Sequence, residues 1–220
     1  MVEKEGCDVR LNRLAKCLDE AREQDVSHGA AVLIPIVTTA GEPSVLLEVR
    51  AKTLVVQPGE VCLPGGAIEP GETPQEAAVR ETCEELCVSA EQIGIVGAMG
   101  PQSGPGGRPL HVFVGTLRDY EGTYSPDEVD HTFTLAVDWL VRHEPREFEV
   151  VMRPEYPADF PWELVPGGKG YPWRPQKSRV PFYMGTDPVV WGATARVLMR
   201  FARIWAESDD RTTISSGALC

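Results

Sequence analysis

Residues 63–88, LPGGAIEPGETPQEAAVRETCEELCV, constrain the backbone more tightly than any other stretch of the chain. Pro64-Gly65-Gly66 opens it, and its glycines permit backbone angles closed to other residues and let a ligand come close. Pro70-Gly71 makes a second turn. Thr73 then offers an N-cap oxygen, Pro74 suits the first helical position, and Glu76 completes a capping box. The pattern predicts a helix over 73–86. On a helical wheel Val79, Cys83 and Leu86 fall together and face a core. Glu81, Glu84 and Glu85 fall on the other side, with Ala77 and Ala78 beside them. Glu81 reaches Glu84 and Glu85 at i,i+3 and i,i+4 spacing, so the carboxylates share one patch. Like charges this close repel, and such oxygen clusters attract hard divalent cations. A solvated acidic helix face is the other reading of the same residues.

The spacing resembles the Nudix box, G-x5-E-x7-R-E-U-x-E-E-x-G-U, where U is a bulky aliphatic residue. Gly66, Glu72, Arg80, Glu81, Glu84, Glu85 and Val88 match it. Thr82 replaces an aliphatic residue but retains a methyl group to pack. Cys87 replaces the glycine after the helix, where a left-handed residue is usual and cysteine meets a steric cost, so a different helix closure is expected. The resemblance implies the Nudix fold, an α/β/α sandwich around a mixed sheet. It also implies that Glu81, Glu84 and Glu85 bind Mg²⁺ or Mn²⁺, with the Gly65 carbonyl as a further donor. Arg80 then pairs with a glutamate such as Glu72 and orients the cluster.

A second resemblance precedes the box. LLEVRAKTLVVQPGEVCLPGG, residues 46–66, is similar to the coenzyme A pyrophosphatase signature L-L-T-x-R-S/A-x3-R-x3-G-x3-F-P-G-G. Leu46, Leu47, Arg50, Ala51, Gly59, Pro64, Gly65 and Gly66 match. Glu48 stands for threonine, Val55 for arginine and Leu63 for phenylalanine. The arginine missing at Val55 removes a guanidinium suited to phosphate. Downstream, Ser125-Pro126-Asp127-Glu128-Val129 resembles the N-P-x-E-V of coenzyme A-type members. Glu128 is the candidate for an extra metal ligand or base, with Asp127 and Asp130 as rivals and His131 as a weaker candidate. Trp191-Gly192-Ala193-Thr194-Ala195-Arg196 resembles the W-G-x-T-A-R helix start of the same group.

The remaining chain is read from pattern. Residues 9–23 form an amphipathic helix with Val9 or Leu11, then Leu14, Leu18 and Ala21, on one side; it covers a sheet or pairs with a second subunit as a homodimer. The main domain spans 29–205. Strands are expected at 30–39, 44–50, 59–63, 93–99, 110–117 and 148–153. An acidic turn, a strand and a short helix are expected over 125–140. The loop 100–109 is rich in Gly and Pro and lacks the G-K-S/T of a P-loop; Arg108 in it is a candidate phosphate contact. Residues 154–184 are too apolar for a linker and too rich in proline for a helix. They are read as a packed irregular insertion, with Trp162, Tyr171, Trp173 or Tyr183 as candidate pocket walls. A helix is expected over 191–205 and a flexible tail over 206–220.

Composition narrows the function. The net charge of −12 argues against nucleic-acid binding through a basic surface, and no run approaches the length of a membrane span. The N-terminus lacks a secretory apolar core, so the six cysteines are read as reduced thiols of a cytoplasmic protein. The expected activity is metal-dependent pyrophosphohydrolysis of a small-molecule nucleoside diphosphate derivative. Arg50, Gly66 and Arg108 would contact substrate, and Glu81 or Glu128 would be the base. Coenzyme A or a derivative is the first candidate; ADP-ribose or a nucleotide sugar is the alternative. A non-catalytic nucleotide-binding module is the reading from another class.

Overall fold

Two adjacent strands that part company create the site. In the computed structural model, which describes residues 2–18 and 29–215, the chain begins with helix α1 (Val2–Leu18). The first half of the sheet follows as β1 (Ala30–Thr39), β2 (Glu42–Arg50), β3 (Val61–Cys62) and β4 (Gly65–Ala67). Helix α2 (Pro74–Leu86) leads to β5 (Ile93–Ala98), β6 (Gln102–Ser103), β7 (Pro109–Leu117) and β8 (Val129–Ala136). Then come α3 (Val137–Arg142), β9 (Arg146–Met152), β10 (Gln176–Tyr183), β11 (Val190–Trp191) and α4 (Gly192–Ser215).

β1 and β2 form a tight hairpin only at its closed end, where Ile36 pairs with Val45 and Thr39 with Glu42. Further along they separate, and residues 61–67 fill the gap. β3 pairs with β2 through Cys62 and Glu48, and β4 pairs with β1 through Gly65 and Val32. The Leu33 N–H donates to the Pro64 carbonyl at 2.9 Å, so the turn itself is tied to the sheet. β1 runs parallel to β7 on its other edge, and β8 lies antiparallel on β2, which makes the sheet mixed.

Alternation sorts the strand residues between two layers. Ala31, Leu33 and Phe113 pack with Ala77 and Ala78 of α2. Ile34, Ile36, Val45, Leu47 and Val114 pack on the opposite side with Leu14, Leu18, Phe201 and Trp205. The expected α/β/α arrangement is therefore present. α1 covers the sheet and α4, with Leu11 rather than the exposed Val9 on its inner side. It begins earlier than the pattern predicts; residues 19–28, including the expected end of that helix, lie outside the described residues.

Two expectations need correction. The insertion 154–184 is not irregular throughout: β10 pairs antiparallel with β9, and β11 with β10, as a separate three-stranded sheet. The segment between β9 and β10 packs ring on ring, with Tyr156 contacting Phe160, Trp162 and Trp173. The tail expected over 206–220 is helical as far as Ser215, and Ser208 is buried with its hydroxyl donating to the Trp205 carbonyl at 2.6 Å. Among the described residues no helix is long and apolar enough to cross a membrane.

Candidate active site

Helix α2 starts as its sequence dictates. The Thr73 hydroxyl accepts from the Glu76 N–H, and the Glu76 carboxylate accepts from the Thr73 N–H at 2.9 Å, which holds Glu76 below the usual carboxylate range. Its end departs from expectation. Cys87 itself adopts the left-handed conformation, φ 52° and ψ 46°, and its N–H closes on the Cys83 carbonyl, so the helix ends as it would with glycine. Thr82 is fully buried and donates to the Ala78 carbonyl at 2.6 Å.

The wheel misplaces the core face of the helix, apart from Leu86, and with it one carboxylate. The buried face of α2 carries Ala77, Ala78, Thr82, Leu86 and also Glu85, whereas Val79 and Cys83 are only partly covered. Glu85 is drawn inward by the glycine turn: the Gly65 N–H donates to its Oε2 at 2.8 Å. Gly65 has φ 148°, and a β-carbon there would lie 2.2 Å from the Ala31 carbonyl oxygen. At Gly66 a β-carbon would lie 2.4 Å from the Glu81 carboxyl carbon. Glycine at these adjacent positions thus lets the turn meet both the sheet and the helix carboxylates.

Arg80 gathers the rest. Its Nε and Nη2 grip Glu72 at 2.8 and 3.1 Å, and its Nη1 donates to Glu81 at 3.0 Å and to Glu84 at 3.3 Å. Nη2 also reaches the Ala67 carbonyl at 3.2 Å, tying the helix to β4. Glu72 is held below its ordinary range, first by the Arg80 hydrogen bonds. Among the described residues no three His, Cys, Asp or Glu side chains surround one point at metal-binding distance. The expected three-carboxylate patch is divided, with Glu81 and Glu84 on Arg80 and Glu85 on Gly65.

The carboxylates are nevertheless crowded away from water. Burial pushes Glu85 up to about 7; the Gly65 N–H opposes this, and the charges of Glu81 and Glu128 add to it. Burial also raises Glu81, against the pull of Arg80. Glu48 is raised by burial and then by Glu85, and its Oε1 is buried without a hydrogen-bond partner. Carboxylates crowded away from water are stabilised by a hard divalent ion, and the donors here are oxygens, so the residues fit Mg²⁺ or Mn²⁺.

Glu128 is exposed, but its loop is anchored. The Ser125 N–H donates to the Glu85 carbonyl at 2.8 Å, and the Thr123 hydroxyl to the Leu86 carbonyl at 2.7 Å. The Glu128 charge acts on Glu48, Glu81 and Glu85, whereas Asp130 pairs with His131 at 2.8 Å. Beside Gly65 opens a cleft of about 390 Å³ whose lining includes Arg50, Cys62, Trp191, Thr194 and Arg196. Arg108 is exposed and does not line it; its carbonyl instead accepts from Gly104, which does. None of Trp162, Tyr171, Trp173 and Tyr183 lines it either. The aromatic wall is Trp191, stacked on Phe182 at 5.5 Å and 13° between planes.

A NUDIX domain matches residues 27–157. The chain belongs to the NUDIX family. Among the relatives of this Nudix protein, Nudix hydrolase 3 of Caenorhabditis elegans is 38% identical over 54% of this chain, which spans about half (52%) of that relative's length. The Nudix hydrolase NudL of Yersinia enterocolitica is 37% identical over 80% of this chain and 81% of its own. The peroxisomal coenzyme A diphosphatase NUDT7 of Mus musculus is 29% identical over 60% of this chain and 61% of its own.

Reading the residues alone left Glu48 as a departure from a motif and Arg196 as part of a helix start. The signal for Glu48 was available: alternation along β2 puts Leu46, Glu48 and Arg50 on one face, and a carboxylate in the middle of a buried strand needs a reason. Arg196 enters the cleft because α4 begins at Gly192, directly against β3, where Thr194 donates to the Val61 carbonyl at 2.9 Å.

Proposed function

We propose that this Nudix hydrolase cleaves a phosphoanhydride bond in a nucleoside diphosphate derivative. Coenzyme A or a derivative is the first candidate, giving 3′,5′-ADP and phosphopantetheine. The observation that carries this reading is the position of Gly65, which holds Glu85 and also walls a cleft containing Arg50 and Arg196. Gly65 thus sits between the carboxylates of α2 and a cleft lined by two arginines. The name of the mouse relative supports the choice of coenzyme A.

Glu81, Glu84 and Glu85, with the Gly65 carbonyl, would hold Mg²⁺ or Mn²⁺. When bound, that ion offsets the negative charge of the diphosphate and favours attack on it. Arg80 keeps Glu81 and Glu84 oriented and is itself fixed by Glu72. Arg50 and Arg196 bind phosphate oxygens in the cleft. Glu81 or Glu128 takes a proton from water. The water oxygen bonds to one phosphorus, the bridging P–O bond breaks, and the bridging oxygen leaves with the other phosphate. Gly66 lets the diphosphate approach the backbone beside Glu81.

Val55 stands where the coenzyme A signature has arginine and is 97% exposed, so that position supplies no phosphate contact. This favours ADP-ribose or a nucleotide sugar as the second reading. Hydrolysis of coenzyme A and ADP-ribose is to be compared with Mg²⁺ or Mn²⁺, alongside Glu84→Gln and Glu85→Gln. The expected result is faster turnover of coenzyme A and a loss of about 10–100-fold or more in each variant. Much faster turnover of ADP-ribose overturns the first choice. Tight nucleotide binding without turnover of any substrate identifies a non-catalytic module.

A further inference from the structure

The orphaned carboxylate on β2 has a place in this chemistry. Val45, Leu47 and Val49 face the layer of α1 and α4, so Leu46, Glu48 and Arg50 face α2, where Leu46 packs on Leu86. Glu48 is 1% exposed. Its Oε2 accepts only the Cys62 thiol, at 3.7 Å, and its Oε1 has no hydrogen-bond partner. Cys62 lies directly opposite Glu48 in the β2–β3 register, and three residues later the Gly65 N–H grips Glu85. Among charged groups, Glu85 acts most strongly on Glu48, ahead of Arg50 and Glu128.

A buried carboxylate without donors is costly, and a second carboxylate beside it adds to the cost. Arg50 lies close enough for its charge to oppose the rise of Glu48, but its Nε donates to the Val56 carbonyl at 3.3 Å and it makes no hydrogen bond to Glu48. A thiol is a weak donor and relieves little of this. A shared proton satisfies one oxygen of such a pair, whereas a divalent cation accepts lone pairs from both carboxylates at once. The threonine of the coenzyme A signature offers no anionic oxygen at this position, whereas Glu48 does.

We propose that Glu48 joins Glu85 as a ligand of a divalent cation, giving the site an anionic donor beyond the box glutamates. The inference rests on the divalent-cation reading above. Its test is Mn²⁺ binding without substrate, followed by electron paramagnetic resonance, on the EDTA-treated full-length chain and its Glu48→Gln and Glu48→Thr variants. Mn²⁺ affinity is expected to fall about tenfold or more in both variants. Circular dichroism establishes that the metal-free variants fold, and the Thr variant serves if the Gln variant does not. Equal Mn²⁺ affinity in the parent and the folded variants overturns the proposal and leaves Glu48 as a buried protonated acid. Glu48-independent Mn²⁺ binding by a chain that hydrolyses diphosphates sinks this inference alone. Glu48-dependent Mn²⁺ binding without hydrolysis of any diphosphate upholds it and sinks the functional reading.

Discussion

Arg80 grips Glu72 through a two-pronged ion pair, Nε to Oε1 at 2.8 Å and Nη2 to Oε2 at 3.1 Å. The geometry leaves Nη1 free to hold Glu81 and Glu84 on the same guanidinium. One planar group thus links the loop before the helix to two carboxylates on it.

Lysine cannot reproduce that fork. Arg80→Lys is expected to lower kcat about 10–100-fold while leaving the far-UV circular dichroism spectrum unchanged. Steady-state kinetics on the preferred substrate checks this. A variant with parental kcat would show that charge alone suffices at Arg80.

The two glycines of the turn fail differently. A β-carbon at Gly66 meets the end of a flexible glutamate, so Gly66→Ala should fold and lose turnover as Glu81 is displaced. At Gly65 it meets the Ala31 and Val32 backbone, so Gly65→Ala should destabilise the fold by about 2 kcal/mol or more. Urea denaturation and kinetics on both variants separate the two effects.

The metal-free protein should lose stability as pH rises from about 4.5 to about 7. In that window the folded state keeps a proton on Glu85 that the unfolded chain has released, so raising pH favours unfolding. Glu72 and Glu76 are shifted the other way, and their contribution is already complete above their unfolded values. Thermal melts in EDTA across this range test the sign. Glu85→Gln should flatten the decline, and Mg²⁺ should offset it in the parent. A parental Tm that rises through the window would contradict the assignment.

Cys87 bears a left-handed backbone that glycine adopts without cost. Cys87→Gly is expected to stabilise the protein by about 0.5–1 kcal/mol, the strain relieved exceeding the entropy lost by the freer unfolded chain. Urea midpoints with an unchanged m value would register the gain.

Much of this was readable from residue order. Thr73, Pro74 and Glu76 announce the start of α2, and a run rich in β-branched residues followed by a turn marks β1 and β2. What escaped depended on distant partners. Glu85 looks like an exposed carboxylate until the Gly65 N–H, twenty residues away, is seen to draw it into the interior. Pro181 obscured β10, which exists because β9 supplies the facing edge. Arg108 lay in a loop whose direction its own residues do not set, and its side chain ends away from the cleft. Arg196, far along the chain, ends in the cleft because α4 docks against β3.

Because residues 61–67 are woven between β1 and β2, the Gly65 turn cannot swing open without unzipping the sheet. The rest of the cleft's rim, including Ser103, Gly104 and the first turn of α4, lies outside that weave. Loosening that rim should change the rate of product escape while leaving the bond-breaking groups in register.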